Sequence, residues 1–131
     1  MNVLLDTHIW LWSFLEPRRI GRKLAAILEE PANQLWLSPV SVWEALVLFQ
    51  LRRIQIASDP AVWIRQALAK GLTTEAALTH EIAIHSRLMD LPHKDPADRF
   101  LVATALLNGF ALATADRNLL KLRSIKPIPN R

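Results

Sequence analysis

The sequence predicts a three-layer α/β sandwich around a parallel sheet, with residues 1–131 forming one domain. Three observations carry this. Short apolar runs alternate with amphipathic stretches along the whole chain. The stretches open on capping residues and close on Gly or before Pro. No repeat, low-complexity tract or linker interrupts the alternation. Strands separated by helices pair in parallel through right-handed crossovers, so helices cover both faces of the sheet.

Taken in order, Asn2–Asp6 is a short apolar run closed by an acid, a buried strand. Thr7 starts a helix that runs to Glu16 and is ended by Pro17. Gly21–Glu30 is a second helix with Leu24, Ile27 and Leu28 on one face, and Gln34–Ser38 a second strand. Ser38-Pro39-Val40-Ser41 is a helix start, with Ser to cap and Pro in the first turn; this helix runs to about Arg53. Pro60–Lys70 is amphipathic, capped by Ser58 or Asp59 and stopped by Gly71. Leu72–Ala76 is a short strand, Thr79–Met89 a helix capped by Thr79, and Leu91–Lys94 a loop. Asp95-Pro96 opens a long helix through Asn108, with Gly109 as its stop. Phe110–Thr114 is the fourth strand, Asp116–Leu122 a helical turn and Ser124–Ile128 the last strand.

The chain has no cysteine, which excludes disulfides, thiolate metal sites and a cysteine nucleophile. Hydrophobic residues make up 51% and charged residues 21%, against disorder. The longest uncharged apolar stretches, Ile9–Leu15 and Phe100–Ala115, fall short of the about 20 residues of a membrane span. Met1–Leu5 lacks the basic start of a signal peptide, so a cytoplasmic protein with no membrane partner is expected. The net charge of +4 favours polyanions.

In an open parallel sheet, ligands bind beyond the carboxyl ends of the strands. Asp6 closes the first strand and Asp116 lies just past the fourth, so both belong to one rim. Each also fits as the cap of the helix that follows. Glu44 stands in an otherwise apolar stretch, Val40 to Phe49. Its charge is costly there unless paired, protonated or bound to a cation; the competing reading is a partly exposed acid near a helix start. Asp95-Pro96-Ala97-Asp98-Arg99 packs two acids into one turn, with Asp95 as the cap.

Asp6, Glu44, Asp98 and Asp116 thus all sit near helix starts on one rim. Four converging carboxylates need a counter-ion, and Mg²⁺ or Mn²⁺ suits an all-oxygen donor set. Zinc is disfavoured, because His8, His80, His85 and His93 show no paired spacing and read as surface or packing residues.

Four segments together resemble the PIN-domain nucleases, and within them the VapC-type toxins of toxin–antitoxin pairs. They are Leu4-Leu5-Asp6-Thr7-His8, Ser38-Pro39-Val40-Ser41-Val42-Trp43-Glu44, Leu91 to Arg99 followed by Leu101-Val102-Ala103-Thr104-Ala105, and Leu112-Ala113-Thr114-Ala115-Asp116. The resemblance runs from Val3 to about Ile128. It implies a compact α/β/α fold with a mostly parallel five-stranded sheet in the order 3-2-1-4-5. It implies an endoribonuclease using one or two Mg²⁺ or Mn²⁺ ions, with Asp6, Glu44, Asp98 and Asp116 as the acidic quartet. Thr7 and Thr114 match positions where a hydroxyl supports the acids, and Asp95 orients the loop and helix start. Asn118 stands where some relatives carry a further acid, which weakens a second metal site. A homodimer and an antitoxin that wraps the protein are implied as well.

On this reading Asp6, Asp98 and Asp116 are the first ligands, while Glu44 ligates or orients the attacking water. Arg99 and Arg117, next to two of the acids, are candidates for RNA phosphates, with Arg52 and Arg53 behind them. Trp10, Trp12 and Trp43 read as core or dimer packing, with stacking on unpaired bases as the sharper reading. Leu48 and Phe49 mark a partner groove between the first and third helices. The rival is a non-catalytic module that keeps the fold and binds RNA or protein. A phosphatase with Asp6 as nucleophile lacks the customary second aspartate two residues on, where His8 stands. With the quartet set apart, sixteen basic residues face eight acids, so a negative hole lies in a basic surface.

Overall fold

A computed structural model describes all 131 residues. The strands are β1 (Asn2–Leu5), β2 (Gln34–Leu37), β3 (Thr74–Glu75), β4 (Ala111–Thr114) and β5 (Lys126–Pro129). The helices are α1 (Thr7–Leu15), α2 (Arg22–Glu29), α3 (Pro39–Gln50), α4 (Pro60–Ala69), α5 (His80–Leu88), α6 (Pro96–Asn108) and α7 (Arg117–Leu120). The sheet order is β3-β2-β1-β4-β5, every pairing is parallel, and β1 lies at the centre.

Alternation across the pleat divides the core in two. Val3 and Leu5 of β1, with Ala111 and Ala113 of β4, face α1, α3 and α4, where Ile9, Trp10, Ala45, Phe49 and Ile64 are buried. Leu4 and Leu112 point the other way, onto Leu101, Val102 and Ala105 of α6 and Leu119 of α7. On the first face Trp63 of α4 packs edge-to-face on Trp10, Phe14 and Phe49 at centroid distances of 6.0, 5.9 and 5.5 Å. Aromatic edges meeting faces favour this geometry. Trp36 instead stacks on Phe110 at 4.8 Å, on the opposite face.

The helix starts follow the caps read from the sequence. Asp6, Ser38, Asp59, Thr79, Asp95 and Asp116 each accept a hydrogen bond from an amide of the helix that follows. α2 begins differently. Gly21 has no capping side chain, and its amide donates to the Asn130 side chain at 2.8 Å.

Four boundaries depart from expectation by two residues or more; among them β3 starts at Thr74 rather than Leu72 and α7 ends at Leu120 rather than Leu122. α3 ends at Gln50 rather than Arg53, because Arg52 adopts a left-handed conformation (φ 56°). The amide of Arg53 then bonds back to the Leu48 carbonyl at 3.0 Å, closing the helix where Gly is usual. The last strand starts at Lys126 and includes Pro129, since Thr114 pairs with Pro129 in the β4 register. Prolines are tolerated there because β5 is an edge strand, and they discourage pairing with another sheet.

Candidate active site

The chain steps from β1 outward to β2 and β3, then returns to the far side of β1 for β4 and β5. The direction therefore reverses between β1 and β4, and such a switch point leaves a crevice at the carboxyl ends of the strands. Asp6 and Asp116 stand in that crevice. Leu5 pairs with Ala113, and the Asp6 amide donates to the Ala113 carbonyl at 2.9 Å, so Asp6 leaves the sheet beside Thr114.

Thr114 ties the two acids together. Its hydroxyl donates to Asp6 Oδ2 at 2.6 Å and accepts from the Asp116 amide at 3.0 Å. Asp6 Oδ1 accepts from the Thr7 amide at 2.7 Å, and Asp116 Oδ1 from the Asn118 amide at 2.8 Å. Capping and a role in the cleft are thus compatible, because a carboxylate has two oxygens. Asn118 serves through its backbone amide; its residue is otherwise exposed.

Thr7 acts differently from Thr114. It is fully buried, and its hydroxyl shares a 3.0 Å hydrogen bond with Ser41 Oγ, tying α1 to α3 one turn before Glu44, whose carboxylate it also supports. Ser41 is legible in the sequence only as a helix-start residue, since a contact over 34 positions leaves no local pattern.

One cavity of about 400 Å³ gathers Asp6, Glu44, Asp95, Asp98 and Asp116, with His8 and Trp12 on its wall. The whole quartet is therefore brought together, Asp95 joins it, and His8, a surface residue, faces the acids. Asp95 also caps α6, accepting from the Ala97 amide at 2.8 Å.

Burial, and after it mutual repulsion, raises three of these carboxyls above their ordinary range. Burial pushes the Asp6 carboxyl above its usual range, against the hydrogen bonds from Thr114 and Thr7. Burial also raises Glu44; the Thr7 hydroxyl opposes this, while Asp6 and Asp95 add to it. Asp98 is pushed up to about 7, first by burial and then by Asp95, Asp6, Asp116 and Glu44. A group destabilised by four like charges is one that a cation would relieve.

The residues fit a hard divalent ion. The acids supply only oxygens, no cysteine competes, and the cavity has room for water beside an ion. No three of the His, Asp and Glu side chains close into a ready-made cage. Mg²⁺ does not require one, since it keeps several waters and takes one or two carboxylates directly.

Arg99 corrects the sequence reading. The sequence puts it among the residues that meet RNA phosphates, but it is only 9% exposed and its guanidinium points into the protein. It donates to the carbonyls of Ser86, Met89 and His93 at 2.6, 2.7 and 2.8 Å, and of Leu91 and Arg87 at 3.2 and 3.5 Å. The side chain of a helical residue is set about 100° around the axis from its neighbour. Asp98 facing the cleft therefore sends Arg99 away from it. Arg117 remains exposed on the rim.

Of the tryptophans, Trp10 is core as expected, whereas Trp43 is 61% exposed and packs in no core of its own chain. Trp12 lies between the cleft and a groove of about 570 Å³ bounded by α1, Leu48 and the Arg53–Gln55 segment. The Arg19 guanidinium covers the Trp12 ring at 4.1 Å. Phe49, expected to line that groove, is buried in the core instead.

Comparison with known proteins agrees with this fold. The PIN domain matches residues 3–124. Ribonuclease VapC22 of Mycobacterium tuberculosis is 34% identical over 130 residues, covering 97% of this chain and 96% of that protein. Among solved structures, VapBC2 from Rickettsia felis bound to a promoter DNA fragment superposes with a TM-score of 0.69 at 12% identity, covering 98% of both chains. A toxin–antitoxin complex from Klebsiella pneumoniae gives 0.67 at 20% identity, again over 98% of both chains. VapBC-1 from nontypeable Haemophilus influenzae gives 0.67 at 16% identity, over 98% of both chains. These structural likenesses bear on the fold. The family match over residues 3–124 and the 34% identity along nearly the whole chain make this chain a member of the PIN-domain family, of the VapC type.

Proposed function

We propose that this chain is a metal-dependent endoribonuclease and the toxin of a VapBC-type pair. The observation that carries the reading is the gathering of Asp6, Glu44, Asp98 and Asp116 in one cleft at the switch point of the sheet. Its likeness to a ribonuclease along nearly the whole chain supports the choice of RNA.

A bound Mg²⁺ or Mn²⁺ would supply an acidified water and charge stabilisation at the phosphate. Asp6, Asp98 and Asp116 are the residues to hold it, with Thr114 orienting Asp6 and fixing the Asp116 backbone. Glu44 reaches the same cleft from α3 and orients the attacking water. Asp95 holds the start of α6. Arg117 meets a phosphate next to the one cleaved.

Two surface features support the proposed partners. The groove between α1 and the segment after α3 sets Leu15, Leu48 and Ile54 beside the charged Glu16, Arg19 and Arg53, a mixed lining suited to an amphipathic antitoxin segment. Trp43, exposed on α3, suits a homodimer contact.

The test is cleavage of a mixed single-stranded RNA, mapped with Mg²⁺, with Mn²⁺ and with EDTA, beside Asp6→Asn. Cleavage should need the metal and vanish in the variant. Equal cleavage by a folded Asp6→Asn protein refutes the reading. RNA binding without metal-dependent cleavage would instead favour the binding module.

A further inference from the structure

Asp6, Asp95 and Asp116 are each held by a backbone amide, and Asp6 by a hydroxyl as well. Asp98 is placed by the course of α6 itself, in the first turn. What fixes that turn therefore fixes Asp98. The next residue, Arg99, is the only cation buried in the protein.

A guanidinium has five N–H donors in a rigid fork. Here all five are used, on Ser86, Arg87, Met89, Leu91 and His93, and every acceptor is a backbone carbonyl. No carboxylate pairs with Arg99; Glu16 pairs with Arg19, and Glu81 faces His85. Its charge is balanced by carbonyl dipoles at the C-terminal end of α5 and along the chain beyond. Those carbonyls lie in the segment that leads directly into the Asp95–Asp98 turn.

We propose that Arg99 is a positioning residue for the metal site. Its fork locks the end of α5, the 89–93 segment and the start of α6 into one body, so that Asp98 stands at a set place in the cleft. This rests on the metal-site reading above. Lysine keeps the charge but has three donors on a flexible stem and cannot hold five diverging carbonyls.

The experiment compares Mn²⁺ binding by calorimetry in wild type, Arg99→Lys and Ile82→Val, at a temperature where all three are folded. Ile82→Val is a destabilised control, truncating a buried side chain of α5. The Arg99→Lys dissociation constant for Mn²⁺ should rise about tenfold or more, as for losses of groups that orient metal ligands. Ile82→Val should bind like wild type, and RNA affinity in EDTA should be no weaker in Arg99→Lys than in that control. A folded Arg99→Lys protein with the wild-type Mn²⁺ constant overturns the proposal. Should Arg99→Lys not fold, hydrogen exchange on wild type decides. Mn²⁺ should slow exchange across residues 89–97, and binding without that protection overturns the proposal. A wild type that binds no Mn²⁺ overturns the metal-site reading itself, and the proposal with it.

Discussion

Replacing Asp98 by Asn should make the metal-free protein more stable while abolishing cleavage. In the fold the Asp98 carboxyl titrates at about 7 instead of its usual 3.8, because burial and four neighbouring carboxylates oppose its charge. The folded chain therefore holds this proton to higher pH than the unfolded chain does. Stability falls as pH rises from about 3.8 towards about 7, and the full penalty is present above 7. At about 1.36 kcal/mol per pH unit, the ceiling is about 4 kcal/mol. Water in the open cleft screens roughly half of it. Asn also forfeits about 0.5 kcal/mol of helix-dipole interaction in the first turn. The net gain expected at pH 8 is about 1–2 kcal/mol, or roughly 4–8 °C in Tm. Thermal and urea unfolding in EDTA, at several pH values, measures it. The advantage should shrink as pH falls towards 4. Saturating Mg²⁺ should stabilise wild type more than the variant, by mass action. A variant no more stable than wild type at pH 8, or an advantage that does not change with pH, would refute the reasoning.

Two other substitutions probe the supports of the site. Thr114→Val keeps the shape of a buried residue but removes the donor to Asp6 Oδ2 and the acceptor for the Asp116 amide. It should cost about 1–3 kcal/mol by urea unfolding at neutral pH and lower cleavage about tenfold or more; unchanged cleavage would show that the hydroxyl does not orient the acids. Arg52→Gly relieves a left-handed φ of 56° at the end of α3. It should raise stability by about 1 kcal/mol, read from the urea midpoint, and a loss of stability would show that the Arg52 side chain repays its strain.

The acidic quartet is legible in the sequence because its members sit near helix starts, and caps are local signals. Asp6, Asp95 and Asp116 are indeed caps. For Asp6 and Asp116 cap and cleft coincide because a parallel sheet sends the start of the helix after each strand to the same rim, whereas Asp95 and Asp98 belong to α6, which follows α5 and is brought to that rim by tertiary packing. Glu44 is legible by contrast, as an acid in an apolar stretch. Helix interiors are equally plain, whereas several element ends are not. α3 stops short because Arg52 turns left-handed without the Gly that announces such a turn. β5 runs to Pro129 because β4 sets its register.

Arg99 marks the limit of local reading most sharply. Beside Asp98 in a basic chain, it reads as a surface cation for phosphate. Its true partners are carbonyls of residues 86 to 93, and backbone groups leave no side-chain pattern in the sequence. Ser41 under Thr7 and His8 beside the acids are of the same kind.

By itself, then, the sequence determined the order of elements, the layered architecture, the helix caps and the oxygen-rich chemistry of the site. These depend on neighbours within a few positions and on apolar periodicity. Only the tertiary structure decided which cations face the cleft, which hydroxyl holds which acid, and how far burial and mutual repulsion raise Asp98. Those depend on distances between residues far apart in the chain, and no short pattern of residue types encodes such distances.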